Sequence, residues 1–294
     1  IRYVAEIAGD HCERLITIGE APGYRGVLQP EKLFPKGLQV PLPEDAPLVP
    51  DIDEFRFGYL VRISEEAVME GHTAGRYSGT HFRYPVVYGP RQVSHEVWGL
   101  MQRFTDKRPY IVLPEGGLTL TTHGYSENVA HAVLLAAQQP EAAAGQIYNC
   151  ADERQFTLAQ WVELIGEAMG GTIEIVSVPD RYAYPARSLM MFYGPADHQM
   201  FDLHKVKAEL GYRDPVDPAE ALRRTVRWYR DNPPDVPAQF ATDLAENYRM
   251  EDDIVPIYRD ACARWDAINH VARDYHHSYP HPKKPGLAKD HRAR

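Results

Sequence analysis

Apolar positions along the chain keep two alternating rhythms. Short, nearly continuous apolar runs read as buried strands, and longer stretches with apolar residues three and four apart read as helices. "IRYVAEIAGD" (1–10) is the end of an amphipathic helix that stops near Gly9, and "RLITI" (14–18) is a short buried strand. A long loop rich in proline, glycine and acids fills 20–56. Helical spacing returns at Tyr59, with Leu60, Ile63, Ala67 and Val68 on one face. "THFRYPVVYGP" (80–90) is a strand ended by Gly-Pro, and 94–107 is a helix with Ser94 as N-cap and Glu96 in its first turn. The pattern then alternates: strand and turn 110–117, a helix from 126 stopped before Pro140, strand 145–150, helix 156–171, strand 172–179. Thr157 is the expected N-cap of the 156–171 helix, and Gly170 and Gly171 mark its end. Two helices, 202–212 and 217–232, follow. Strands alternating with helices predict parallel α/β packing.

After residue 232 the rhythm changes. "NPPDVPAQF" reads as a linker, and 250–279 reads as one long helix. Glu251 to Asp253 would sit at its positive N-terminal end, with Pro256 tolerated in the first turn. Ile254, Tyr258, Ala261, Trp265 and Ile268 form a stripe that either packs back on its own domain or meets a partner, with a homodimer as one case. The final stretch, "HPKKPGLAKDHRAR", is basic, lacks apolar anchors and reads as a solvated tail.

Composition narrows the function classes. Apolar residues make up 44% and charged residues 25%, a globular balance. The net charge of -9 argues against general binding to nucleic acid or anionic membranes, which reward basic surfaces. No apolar run approaches the roughly 18 residues that span a bilayer. Cys12, Cys150 and Cys262 are scattered, which implies neither a disulfide framework nor a zinc site and fits a reducing cytoplasm. His276, His277 and His281 lie in a polar tail without a carboxylate or cysteine cluster, so no metal is expected.

Gly19, Gly23 and Gly26 follow the first strand and suggest a phosphate-binding loop. A true cradle turns into a helix whose N-terminus meets the phosphate. This one runs into "VLQPEKLFPKGLQVPLPED", with four prolines and no helical stripe. Three other stretches decide the matter. "FRYPVVYGPRQ" (82–92), the run 123–165 from "HGYSENVAHAV" through "GQIYNC" to "WVELI", and "FDLHKVKAELGYRDPVDPAEALRRTVRWYRDN" (201–232) together resemble the extended short-chain dehydrogenase/reductase family, the NAD-dependent epimerases and dehydratases. The resemblance covers roughly 1–232.

It implies a doubly wound Rossmann-type α/β fold formed by 1–92 and 120–155. A smaller substrate domain would come from 93–119 and 156–232, and a helical extension with a basic tail from 233–294. It also implies NAD or NADP as cofactor, a small polar substrate such as a sugar nucleotide, and chemistry at a carbonyl or hydroxyl. "RLITIGEAPGY" resembles the strand and turn that carry the family's catalytic serine. The family's first strands and glycine-rich loop would then precede Ile1, and no G-x-x-G-x-x-G occurs in these 294 residues. The expectation is a fragment, or a fold completed by another chain.

The resemblance puts Tyr59 at the position of the family's acid/base tyrosine. A free tyrosine titrates near ~10, and a nearby lysine favours its phenolate. Ile63 stands where that lysine would be, and Arg62 is the nearest cation. Glu20 stands at the serine position and, ionised, cannot donate a hydrogen bond. Tyr59 therefore reads either as a catalyst or as a packing tyrosine. His123 is a candidate proton carrier or a structural histidine. Tyr59, Tyr84, Pro85 and Val86 are the expected cofactor contacts, and Arg83, Tyr88, Arg91 and Tyr125 the expected substrate contacts. Thr121 and Glu127-Asn128 replace the family's phosphate-binding arginine and paired aspartates. Two functions remain open: an NAD(P)-dependent epimerase or dehydratase, or a catalytically degenerate member that senses a ligand or acts as a scaffold.

Overall fold

The computed structural model describes residues 1–92, 95–190, 194–268, 271 and 285–286. Ser94 and the histidines at 276, 277 and 281 lie outside the described residues. Three parallel strands form the main sheet in the order β1 (Arg14–Glu20), β2 (Ser78–Tyr84) and β6 (Gln146–Asn149). Arg14 pairs with Ser78 and Glu20 with Tyr84; Thr80 pairs with Gln146 and Arg83 with Asn149. Beyond Pro85 the chain continues as β3 (Val86–Tyr88), parallel to β5 (His123–Tyr125). A third parallel pair joins β4 (Tyr110–Pro114) to β7 (Glu174–Val178). Parallel pairs require crossovers, and helices supply them. The doubly wound α/β expectation is met.

The helices are α1 (Arg2–Ala8), α2 (Arg56–Thr73), α3 (Glu96–Thr105), α4 (Ser126–Gln138), α5 (Pro140–Ala143), α6 (Leu158–Met169), α7 (His204–Leu210), α8 (Pro218–Asp231) and α9 (Ala238–Asp266). The core under the main sheet joins Phe82, Tyr84 and Tyr148 to Val129 and Ala132 of α4 and to Val206 and Leu210 of α7. α3, α6 and α8 pack on one another. Thr157 caps α6 in a reciprocal capping box with Gln160, and Gly170 closes it in the left-handed conformation at φ 76°.

Two helices depart from the sequence pattern. The expected inner face of α2 was Leu60, Ile63, Ala67 and Val68. Leu60 is 39% exposed, and the buried positions are Gly58, Glu65, Val68 and Gly71. A glutamate faces inward because an arginine of β2 waits for it there. α9 begins at Ala238, twelve residues before the expected start. Glu251 to Asp253 are therefore mid-helix rather than at its positive end, and Pro256 lies inside the helix.

Residues 1–255 form one compact unit and 256–294 another. Proline in a helix interior removes one backbone hydrogen bond, and Pro256 opens the second unit. In that unit Trp265 of the expected stripe is 55% exposed, and Ile268 lies past the helix end at 57%. Among the described residues no helix is long and apolar enough to cross a membrane.

Candidate active site

A cavity of about 830 Å³ opens at the carboxyl ends of three parallel strands. Glu20 is the last residue of β1, Val86 to Tyr88 form β3, and Ser126 begins α4 directly after β5. Ligands of open α/β sheets bind in this position, because the strand-to-helix loops there leave a crevice. Arg91, His95, Glu96 and Arg103 form a second wall. Leu189 and Met190 form a third, and Phe240, Asp243, Leu244 and Asn247 of α9 a fourth.

A buried polar network is centred on Arg83, which pairs in the sheet with Gly19, next to Glu20. Arg83 of β2 grips Glu65 of α2 through Nε and Nη2, each at 2.7 Å, and donates to the Glu44 carbonyl at 2.7 Å. Its guanidinium lies 4.5 Å from the Tyr24 ring centre. The Tyr24 hydroxyl donates to Asn149 at 2.7 Å, and burial pushes that phenol up to about 12. The Asn149 amide in turn donates to the Leu42 carbonyl. His81 joins Thr17 at 2.7 Å, and burial holds its imidazole down to about 4, so it is neutral at physiological pH. The network ties β1, β2, β6, α2 and the 20–56 loop together, and it explains the buried charge on α2.

The residues singled out in the sequence are only partly brought together. Glu20, Val86, Tyr88 and Arg91 line the cavity. Arg91 is exposed, holds a left-handed backbone at φ 64° and makes no hydrogen bond or ion pair among the described residues. The Tyr88 hydroxyl is spent on Asp152 at 2.8 Å, and burial with that neighbouring carboxylate pushes its phenol far up.

Tyr59 and Arg62 do not line the cavity: Arg62 lies 5.1 Å from the Tyr59 ring, donates to the Pro50 carbonyl and pairs with Glu66. Arg83 does not face a ligand, because Glu65 and Glu44 engage it. The Tyr84 hydroxyl is buried on the Val129 carbonyl at 2.6 Å, and Tyr125 donates to Glu127 at 2.9 Å. Both are packed inside the fold, as is Pro85 beside them.

His123 lines a separate chamber of about 30 Å³ with Glu96, Thr121 and Trp161. That is about the room one water molecule occupies. Its Nδ1–H donates to the Thr121 carbonyl at 2.7 Å, and its ring lies 4.5 Å from that of Trp161. Burial lowers its pKa to about 4, so at neutral pH it is an uncharged imidazole away from the main cavity.

Two carboxyls escaped the sequence reading. Glu96 borders both the cavity and the inner chamber, and burial raises its pKa to about 7. Its only sequence signal was its place in the first turn of α3. Asp152 follows β6 and binds the Tyr88 hydroxyl, the Tyr125 backbone N–H and the Asn128 amide. Burial raises it to about 6. An acid shortly after the end of a strand was the available signal for it.

Gly19 at the end of β1, and Gly23 and Gly26 after it, do not fit a dinucleotide pyrophosphate. A Cβ on Gly19 would collide with the His81 ring, one on Gly23 would press on Val61, and one on Gly26, at φ 89°, would strike Leu33. They are packing glycines in a strand and short turns, and no helix N-terminus stands behind them: the chain continues into a 3-10 turn at Ala21–Gly23.

Residues 32–151 match the NAD dependent epimerase/dehydratase family. The protein y4nL of Sinorhizobium fredii is 27% identical over 166 residues, which are 50% of this chain and 46% of that protein. A dTDP-glucose 4,6-dehydratase of Actinoplanes sp. is 28% identical over 154 residues, 49% of this chain and 42% of that protein. Among solved structures, UDP-glucuronic acid 4-epimerase from Bacillus cereus, in complex with UDP-glucuronic acid and NAD, superposes with a TM-score of 0.59 at 15% identity. The superposition covers 78% of this chain and 66% of that one. The chain spans less than half the length of these two curated relatives. The family match bears out the resemblance over 82–92 and the first part of 123–165, and the structural likeness bears out the fold.

Proposed function

We propose that the cavity at the carboxyl ends of β1, β3 and β5 is the substrate site of an NAD(P)-dependent epimerase/dehydratase-type protein. The substrate is a small polar molecule with a reacting carbonyl or hydroxyl, in the sugar-nucleotide class. The position of the cavity carries this reading: about 830 Å³ of space at the end of a parallel sheet where such folds take ligands. Sugar-nucleotide complexes among the structural neighbours support the substrate class. Arg91, exposed and without an ion pair among the described residues, is the group that meets an anionic portion of the ligand. A planar guanidinium suits a phosphate because it can donate two parallel hydrogen bonds. NAD or NADP is assigned to the whole protein, and no cradle for it is assigned to these residues.

Titration of the full-length protein with UDP-glucose, with and without NAD or NADP, tests the reading calorimetrically. Saturable binding of UDP-glucose is expected, and Arg91→Gln should weaken it about tenfold, the usual scale of one charge-assisted contact. No saturation at millimolar ligand would sink the substrate assignment.

A second reading, a degenerate member that binds ligand without turnover, has its own support. Ile63 brings no charge to Tyr59, Arg62 is engaged by Glu66 and Pro50, and Glu20 stands at the serine position. Turnover of a bound sugar nucleotide in the presence of NAD or NADP separates the two: any turnover excludes the degenerate reading, and binding without turnover supports it. Tyr59 lies outside the cavity lining, and unchanged turnover in Tyr59→Phe clears it of a catalytic role.

A further inference from the structure

We propose that the first turns of α9, residues 240–247, are a specificity-determining wall of the cavity. Asp243 and Asn247 would meet a hydroxyl- or amino-bearing end of the ligand, and Phe240 its apolar face. The proposal rests on the reading of the cavity as a substrate site. The helix lies well outside residues 32–151, so the family match does not call for it.

Helical spacing is the first argument. Phe240, Asp243, Leu244, Asn247 and Glu251 stand three, four, seven and eleven residues apart from the first, which places them on one face of α9. Four of them line the cavity, and the fifth is the anchor. Glu251 is fully buried and accepts from Arg103 Nη1 through both oxygens, at 2.7 and 2.8 Å. It also accepts from the Val112 backbone N–H at 3.3 Å.

Next to it Asp252 takes Arg108 and the Tyr110 hydroxyl, and the Tyr248 hydroxyl, one turn before, donates to Asp106 at 2.9 Å. Buried ion pairs are poor sources of net stability but good devices for fixing register. A pin at Glu251 sets where residues four, eight and eleven positions earlier point. They point into the cavity.

The chemistry of that wall is the second argument. One Asp243 oxygen accepts from Gln239 at 2.6 Å, and no cation pairs with this carboxylate among the described residues. Asn247 reaches Ser188 at only 3.5 Å, a weak bond open to exchange for a better partner. Phe240 packs edge-on against His95 with ring centres 5.6 Å apart. Glu20 and Glu96 add two more carboxyls to the lining, while the charge of Arg103 is balanced by Glu251. An acceptor-rich wall with one aromatic ring selects donor groups on an otherwise apolar surface. It repels phosphate, which leaves Arg91 for that end of a ligand.

Two measurements on the full-length protein test this. Asp243→Asn, Asn247→Ala and Phe240→Ala should each raise the UDP-glucose dissociation constant about tenfold with an unchanged thermal midpoint. If they leave it unchanged while Arg91→Gln still weakens binding, the cavity reading stands and the wall is overturned.

The second measurement needs no ligand. Ser188→Cys places a thiol in the cavity lining, and its maleimide labelling rate is read by peptide mass spectrometry. Adding Phe240→Ala or Glu251→Gln should speed labelling about tenfold, and equal rates overturn the wall. If the unaltered protein binds no UDP-glucose, the sugar-nucleotide reading fails, and the labelling rates decide the wall by themselves.

Discussion

Glu96 shows how little of a side chain's chemistry is local. In the sequence it is an acid in the first turn of a helix, a common and stabilising placement. In the structure the turn of α3 faces the cavity and the inner chamber, and burial raises the carboxyl to about 7. The raised value has a sign that can be checked. The folded protein holds the proton more tightly than the unfolded chain, whose carboxyl titrates at 4.5. Stability contributed by the neutral form is complete below pH 4.5 and is lost as pH rises toward 7. Glu96→Gln removes that loss. The variant should be more stable than the parent by on the order of 2 kcal/mol at pH 8, with the gap closing by pH 4.5. Urea unfolding at the two pH values measures it, and a pH-independent gap would refute the assignment.

At the level of elements, α2 and α6 make a pair of opposites. α6 is legible almost to the residue: Thr157 caps it and Gly170 ends it, because caps act within four residues of sequence. The inner face of α2 was legible only in part: Val68 is buried as read, but Glu65 looks like a surface residue until its partner is known. Arg83 is 18 positions away and meets Glu65 only when β2 pairs with β1. Removing one partner strands a buried charge, which costs about 3–5 kcal/mol. Glu65→Gln and Arg83→Met should each destabilise by that amount. The double variant should cost less than the sum, because the pair is coupled. Denaturant midpoints for the three proteins form the cycle, and strict additivity would count against the pair. α9 failed at its start for a similar reason. Its cavity-lining turns carry few apolar residues, so the helical stripe was invisible there.

For the molecule as a whole, acid response is a balance of opposing buried groups. His81 and His123 are both held at about 4 by burial, against 6.5 when free. Each therefore loses stability as pH falls from 6.5 through 4. Glu96 and Asp152, raised to about 7 and about 6, gain stability over nearly the same window. These four contributions leave a shallow profile, and single variants should tilt it. His123→Gln should be less stable than the parent at pH 7 through lost packing. The deficit should shrink by on the order of 2 kcal/mol by pH 4.5, since the glutamine takes up no proton. Thermal midpoints across this range provide the check, and a constant deficit would mean that His123 is not the buried neutral group described.

The alternation of strands and helices, the parallel class, the caps of α6 and the three family motifs were all determined by the sequence alone. Each depends on neighbours within a few residues or on a local pattern. Gly19, Gly23 and Gly26 could be denied a phosphate role from the prolines that follow them, and the packing around Gly19 and Gly26 agrees. Only the tertiary structure decided that Arg83 serves the fold, that Tyr88 spends its hydroxyl on Asp152, and that Glu96 and a distant helix share a cavity with Arg91. Those outcomes depend on partners 18 to 156 positions apart, and on burial, which changes the chemistry of a carboxyl or an imidazole without changing its letter in the sequence.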